Sequence, residues 1–131
     1  MKKEIRFLTL AEIIDIHNDQ ISRYGGMAGI RDIKLLSSAV AMPKTSFGGK
    51  FLHENIFQMA AAYAYHICQN HPFVDGNKRV ALVSALVFLD INGTEIIDSD
   101  DILYDTMIRV ASGKGNKEIL EKAFKELVIK K

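Results

Sequence analysis

Apolar residues recur at three- and four-residue steps along almost the whole of this 131-residue chain, a period that suits helices and not strands. The first stretch opens at Thr9, three residues before Glu12, which is the spacing of a capping box. Leu10, Ile13, Ile14, Ile21 and Tyr24 carry it on to Gly25-Gly26, a pair that tolerates the left-handed end of a helix. Asp32 can cap a short second helix with Leu35, Leu36, Ala39 and Val40 as its stripe, ending before Pro43. Residues 43–54, with Gly48-Gly49 among them, read as loop. A third helix is expected over about 55–70, turning Ile56, Met59, Ala60, Tyr63 and Ile67 inward. The fourth runs to about 91 and closes at Asn92-Gly93; being apolar on most sides, it is expected to be the central helix of a bundle. Asp98 or Ser99 caps a fifth through about Ala111, with Asp100 and Asp101 in its first turn. After a turn at 113–116, a sixth extends to about 129 with Ile119, Leu120, Ala123, Phe124 and Leu127 on one face. These patterns predict an all-α bundle of about six helices, a single domain over 1–131. Its one minor β pair would join 94–97 to 5–8.

Composition narrows the function. Seventeen Lys and Arg against sixteen Asp and Glu leave a net charge of +1, too little for broad electrostatic binding to nucleic acid. Six acidic residues and no basic one fall between Val80 and Ile108, which reads as caps and a solvated face. Cys68 is the one cysteine, so neither an internal disulfide nor a CxxC metal site is available. The N-terminus has no continuous apolar run of a signal peptide, and the most apolar segment, 80–89, is far short of the ~20 residues a bilayer needs. A reduced, cytoplasmic protein with no membrane partner is the expectation.

Residues 71–79, HPFVDGNKR, break the period completely. Pro72 biases His71 away from right-handed helix, so the third helix ends there and the chain must start the fourth within a few residues. A helix N-terminus offers unpaired N–H groups and a positive dipole end, a ready site for an anion. Gly76 allows close backbone approach, and Lys78 and Arg79 add charge and a forked donor. Asp75 is a hard oxygen ligand of the kind that holds Mg²⁺ on phosphates. His71 is the nearby group whose ordinary pKa suits proton abstraction near neutrality. Taken singly, Asn77 would serve as a plain N-cap, Gly76 as a turn, His71 as a satisfied loop histidine and the cations as solvated charge. Their coincidence in one short loop before an apolar helix points to phosphate chemistry. Phe73 and Val74 are expected to anchor the loop.

The segment resembles the signature of the Fic/Doc superfamily, HxFx(D/E)GNxR, and its surroundings resemble that family too: FLTLAEIIDIHNDQISRYGG and GIRDIKLLSSAV before it, VALVSALVFLDING after it. The likeness runs from about Arg6 to the last helix and is greatest to the death-on-curing (Doc) toxins of toxin–antitoxin modules. By position, it implies His71 as catalytic base, Asp75 as Mg²⁺ ligand, Gly76 and Asn77 in the anion-binding loop, and Lys78 and Arg79 as phosphate contacts. The adenylylating branch usually has Gly where this chain has Lys78 and a second Arg where it has Leu82. A bulky cation at 78 would crowd the pocket of an α-phosphate. Doc-type proteins share the lysine, and the resemblance implies that they bind ATP reversed and transfer its γ-phosphate. The implied activity is a protein kinase acting on a threonine of elongation factor Tu, which would stop translation. The self-inhibitory string (S/T)xxxE(G/N) of some family members is absent from the sequence, so restraint by an antitoxin protein is implied.

The loop at 43–54, with Phe47, Gly48 and Gly49 at its middle, aligns with the family's flap and is expected to position the target. Residues 23–26 read as a helix end, or as a groove lining. His66 and Cys68 are two apart on one helix and point apart, so they make no metal pair, and Cys68 reads as an inert core thiol. His17 and His53 stand in no pattern. Two alternatives to the kinase remain: AMP transfer from ATP to a protein hydroxyl, and an idle helical module that only binds an antitoxin or other partner.

Overall fold

The computed structural model describes residues 4–98 and 100–129. Six α-helices follow in order: α1 (Leu10–Tyr24), α2 (Ile33–Ala41), α3 (Ile56–Asn70), α4 (Asn77–Ile91), α5 (Ile102–Ala111) and α6 (Lys117–Glu126). Local chemistry sets their starts. Thr9 and Glu12 close the capping box in both directions, and Asp32, Asn55 and Asn116 each accept the N–H three residues on. The fifth helix departs from expectation: it begins at Ile102, so Asp100 and Asp101 precede it rather than fill its first turn. Asp98 still caps it, its carboxylate accepting from the N–H groups of Ile102 and Leu103. Ser99, the other expected cap, lies outside the described residues. Among the described residues no helix is long and apolar enough to cross a membrane.

The central helix is α3 and not α4. It buries Met59, Tyr63, Ile67, Cys68 and four alanines, and it touches α2, α4, α5 and α6. Alanine at 60, 61, 62 and 64 lets neighbours approach on several sides, so small residues mark the hub better than large ones. Packed on α3 and α1, α4 keeps Leu82, Val83, Leu86 and Val87 only half-buried. Part of its apolar excess walls a cleft instead of a second core face. Tyr63, Phe73, Phe88 and Phe124 are the largest fully buried side chains. The Tyr63 hydroxyl accepts from the Leu8 N–H at 2.9 Å, and burial pushes its pKa up to about 12.

The β structure also differs from expectation. Residues 5–8 form no strand, their backbone being met by side chains: Asn92 bonds both the N–H and the carbonyl of Arg6, and Tyr63 meets Leu8. Ile96 pairs instead with Val128, because α6 stops at Glu126 and the chain beyond it is extended. Within the expected loop 43–54, a single 3-10 turn (Met42–Lys44) leads into a hairpin of β1 (Ser46–Phe47) and β2 (Lys50–Phe51). Gly48 and Gly49 have φ of 59° and 80°, the positive pair a two-residue hairpin turn requires.

At the root of this hairpin His53 is buried, and its ring meets α3 and α6 through one lysine. The Lys117 ammonium donates to His66 Nε2 at 3.2 Å and approaches His53 Nε2 at 3.5 Å, with the Tyr65 ring 5.9 Å away. Burial first, then the Lys117 charge, holds both histidines below their ordinary pKa, His66 down to about 4. Between the ordinary 6.5 and about 4, the unfolded chain takes a proton at His66 that the folded chain refuses. Stability therefore falls as pH falls through that window. Urea unfolding at about pH 7.5 and about pH 4.5 should show this loss in the parent and a smaller one in His66→Gln. Equal losses in both proteins would mean that His66 does not carry the effect.

Candidate functional site

The segment between α3 and α4 is shaped from its backbone outward. His71 ends α3 in the left-handed region, φ 50° and ψ 52°, one of two such non-glycine residues among those described. Pro72 keeps it from continuing the helix, as the sequence predicts, although into a left-handed and not an extended conformation. Arg31 then clasps the helix end, donating Nε to the His71 carbonyl at 2.6 Å and a terminal nitrogen to the Asn70 carbonyl at 2.9 Å. Its own N–H and that of Asp32 bond the Pro72 carbonyl, and Val74 N–H bonds the Gly29 carbonyl. A cation at a helix C-terminus offsets the negative dipole end there.

Three buried side chains fix the loop from below. The Phe73 ring is fully buried and lies parallel to the His17 ring, centroids 4.0 Å apart. His17 Nε2 donates to the Asp75 carbonyl at 2.9 Å, so that nitrogen carries a proton. Asn77 accepts from the Phe73 N–H and donates to the Phe73 carbonyl, both at 2.9 Å. Expected among the phosphate-binding groups, Asn77 thus turns its buried side chain to bracing the loop, and its backbone N–H stands outside those bonds.

Above this brace α4 begins without a side-chain cap. Gly76 is its N-cap with φ 76°, and the first intrahelical bond runs from Val80 N–H to the Gly76 carbonyl. The N–H groups of Asn77, Lys78 and Arg79 therefore stand outside the helix ladder, at its positive end. The exposed Asp75 carboxylate accepts from Met27 N–H at 3.0 Å and Gly76 N–H at 2.8 Å. Those two bonds, Met27's first, hold its pKa below the ordinary carboxylate value, with Arg79 adding to them. Gly26 makes room: a Cβ there would stand 2.7 Å from Asp75 Oδ2, on a backbone with φ 116°.

His71, Asp75, Gly76, Asn77, Lys78 and Arg79 all line one cleft of about 510 Å³, closed on other sides by Leu82, Val83, Tyr104 and Met107. The Arg79 guanidinium lies 5.1 Å over the Tyr24 ring. Tyr24 is 65% exposed rather than part of the core stripe. Cys68 borders the cleft as a buried thiol whose pKa burial pushes up, in keeping with an inert role. Phe47, Gly48 and Gly49 sit at the hairpin and do not line the cleft. No sequence pattern assigns Arg31 or His17 a role, and Gly26 is marked only within a helix end or groove lining. Their partners lie 40 to 58 residues away for the first two, and Gly26 reads equally well as part of a helix stop.

The arrangement places a base, a carboxylate, two cations and an open helix N-terminus around one space. That set suits a phosphate-bearing ligand with a nucleophile to be deprotonated beside it. A Fic/DOC family model matches residues 7–89 of the chain. The chain is 33% identical over 110 residues to the protein kinase doc of Escherichia phage P1, covering 84% of this chain and 86% of that protein. It is 38% identical over 79 residues to the toxin Doc of Mycolicibacterium smegmatis, covering 60% and 61%.

Replacing Asn77 tests the brace. Asn77→Ala leaves a buried N–H and a buried carbonyl of Phe73 unpaired, at about 1–3 kcal/mol each. Urea unfolding should show a loss of about 2–6 kcal/mol in total. A loss under about 0.5 kcal/mol would show that the loop is held elsewhere.

Proposed function

The chain belongs to the Fic/DOC family, and from that premise we propose that it is the toxin of a toxin–antitoxin module and a kinase of a protein hydroxyl. The relatives named protein kinase doc and toxin Doc support this reading. The observation that carries the choice of phosphate is Lys78, which lines the cleft at the N-terminus of α4 where the adenylylating branch usually has glycine.

In the proposed reaction His71 accepts the proton of the target hydroxyl as its oxygen bonds the γ-phosphorus of ATP. The bond from that phosphorus to the β,γ-bridging oxygen breaks, and ADP leaves. Lys78, Arg79 and the open N–H groups of α4 bind the phosphate oxygens and offset the charge that builds on them. Mg²⁺ suits the Asp75 carboxylate, each of whose oxygens accepts one N–H and keeps a further lone pair. Among the described residues no three His, Cys, Asp or Glu side chains converge as a metal cage. Asp75 would hold such an ion, and the ion would supply charge neutralisation. By the family resemblance the target is a threonine of elongation factor Tu, so phosphorylation would halt translation. Restraint is assigned to a separate antitoxin, since the sequence holds no self-inhibitory string.

Incubation with elongation factor Tu and ATP labelled at either the α or the γ position tests the reaction. Label should pass to the protein from the γ position only, and α label on the target would mean AMP transfer. His71→Ala should slow transfer by ~10²–10⁴-fold with helical circular dichroism unchanged. Undiminished transfer by that variant would remove His71 from the chemistry, and growth arrest equal to the parent's would favour a protein that acts by binding alone.

Asp75→Asn keeps one acceptor for the loop but loses the charge. Calorimetric titration of ATP should show a larger loss of affinity with Mg²⁺ than without it. Equal losses in the two conditions would make Asp75 a purely structural residue.

A further inference from the structure

Arg79 lines the cleft with its side chain exposed, and an unpaired arginine is a poor ligand until its rotamers are restricted. Among the described residues, ion pairs are made by Arg6, Arg23 and Lys125, and none by Arg79. Among the described residues the Tyr24 ring packs on it, 5.1 Å from the guanidinium carbon, while Asp75 feels its charge without forming an ion pair. A carboxylate partner would occupy the guanidinium fork. An aromatic face holds the plane of the group and leaves the N–H edge free for phosphate oxygens.

The position of Tyr24 in the chain adds to this. It is the last residue of α1, and three residues later Met27 donates its N–H to Asp75. Gly25 turns the chain between them with φ 85°, and Gly26 gives the carboxylate room. Residues 24–27 thus touch two of the charged groups of the segment, Arg79 at one end and Asp75 at the other. Tyr24 itself has no packing reason to be aromatic, being 65% exposed.

We propose that Tyr24 is a positioning residue: its ring face holds the Arg79 guanidinium with its donor edge turned to the phosphates, while the same segment holds Asp75. The proposal rests on the reading of Arg79 as a phosphate contact and adds the group that aims it. The hydroxyl of Tyr24 has no part in it, so phenylalanine should serve as well.

Calorimetric binding of ATP with Mg²⁺ to five proteins tests this: the parent, Tyr24→Ala, Tyr24→Phe, Arg79→Ala and the Tyr24→Ala, Arg79→Ala double variant. Tyr24→Ala should weaken binding about 2- to 5-fold, the scale of an exposed cation–π contact. Tyr24→Phe should bind as the parent does. In the Arg79→Ala background, Tyr24→Ala should have no further effect, because nothing remains to be aimed. Parent-like binding by Tyr24→Ala, failure of phenylalanine to restore binding, or an equal loss without Arg79 would each overturn the role of Tyr24. Those results would leave the phosphate site intact. If Arg79→Ala binds as tightly as the parent, or the parent binds no ATP, the reading of the site itself fails and takes this role with it.

Discussion

Phe73 occupies the point where the chain leaves α3 and turns toward α4, with its ring in the core and both backbone groups bonded to the Asn77 amide. Burying that ring fixes the loop's depth, and the amide pair fixes its curvature. A buried N–H and carbonyl without partners would cost as much as several surface contacts gain, so the loop has little freedom to open. The geometry above it follows. With the Asn77 side chain turned inward, Gly76 takes the N-cap position and has no side chain with which to close the helix end. The open, positive end of α4 is thus a consequence of how the core is filled beneath it.

The loop residues divide by direction. Phe73 and Asn77 go down into the protein, where His17 stacks on Phe73, while His71, Asp75, Lys78 and Arg79 stay exposed at the cleft. This division lets a chain of net charge +1 set two cations side by side at the proposed anion site. The dipole end of α4, two cationic side chains and backbone N–H groups act over one small space, and fixed donors need no reorganisation when charge develops. Asp75 is the exception among them, an anion beside cations. Two N–H bonds hold its carboxylate below the ordinary carboxylate pKa, favouring the charged form.

Much of this was legible in the sequence, for a local reason. Helix caps such as Thr9, Asp32 and Asn55 act within three residues, and all six expected cleft residues lie within nine positions of one another. What escaped reading acts across the chain. His17 meets Asp75 from 58 positions away, Arg31 meets His71 from 40, and no local pattern marks either. The hairpin is hidden because its strands are only two residues long, too short for an alternation of buried and exposed residues to betray them. The identity of the central helix was misread through size. Large apolar residues all round α4 suggested a hub, whereas the alanines of α3 let four helices close on it.

The two histidines nearest the loop show how one fold assigns opposite tasks to the same side chain. His17 is 1% exposed, stacked on Phe73, and its Nε2 proton is committed to a carbonyl. It has no lone pair to offer there and no room to move, which is what a fixed support requires. His71 is held by its backbone alone: its N–H bonds the Ile67 carbonyl, its own carbonyl is clasped by Arg31, and Pro72 restricts it from the other side. A left-handed φ in a residue with a Cβ costs of order 1 kcal/mol and persists because those contacts determine it together. The direction of the imidazole is therefore set without any hydrogen bond to the ring among the described residues. A base must both accept and later release a proton, and a ring nitrogen committed elsewhere does neither. Holding His71 by strain and backbone bonds leaves its nitrogens uncommitted, as the proposed reaction requires.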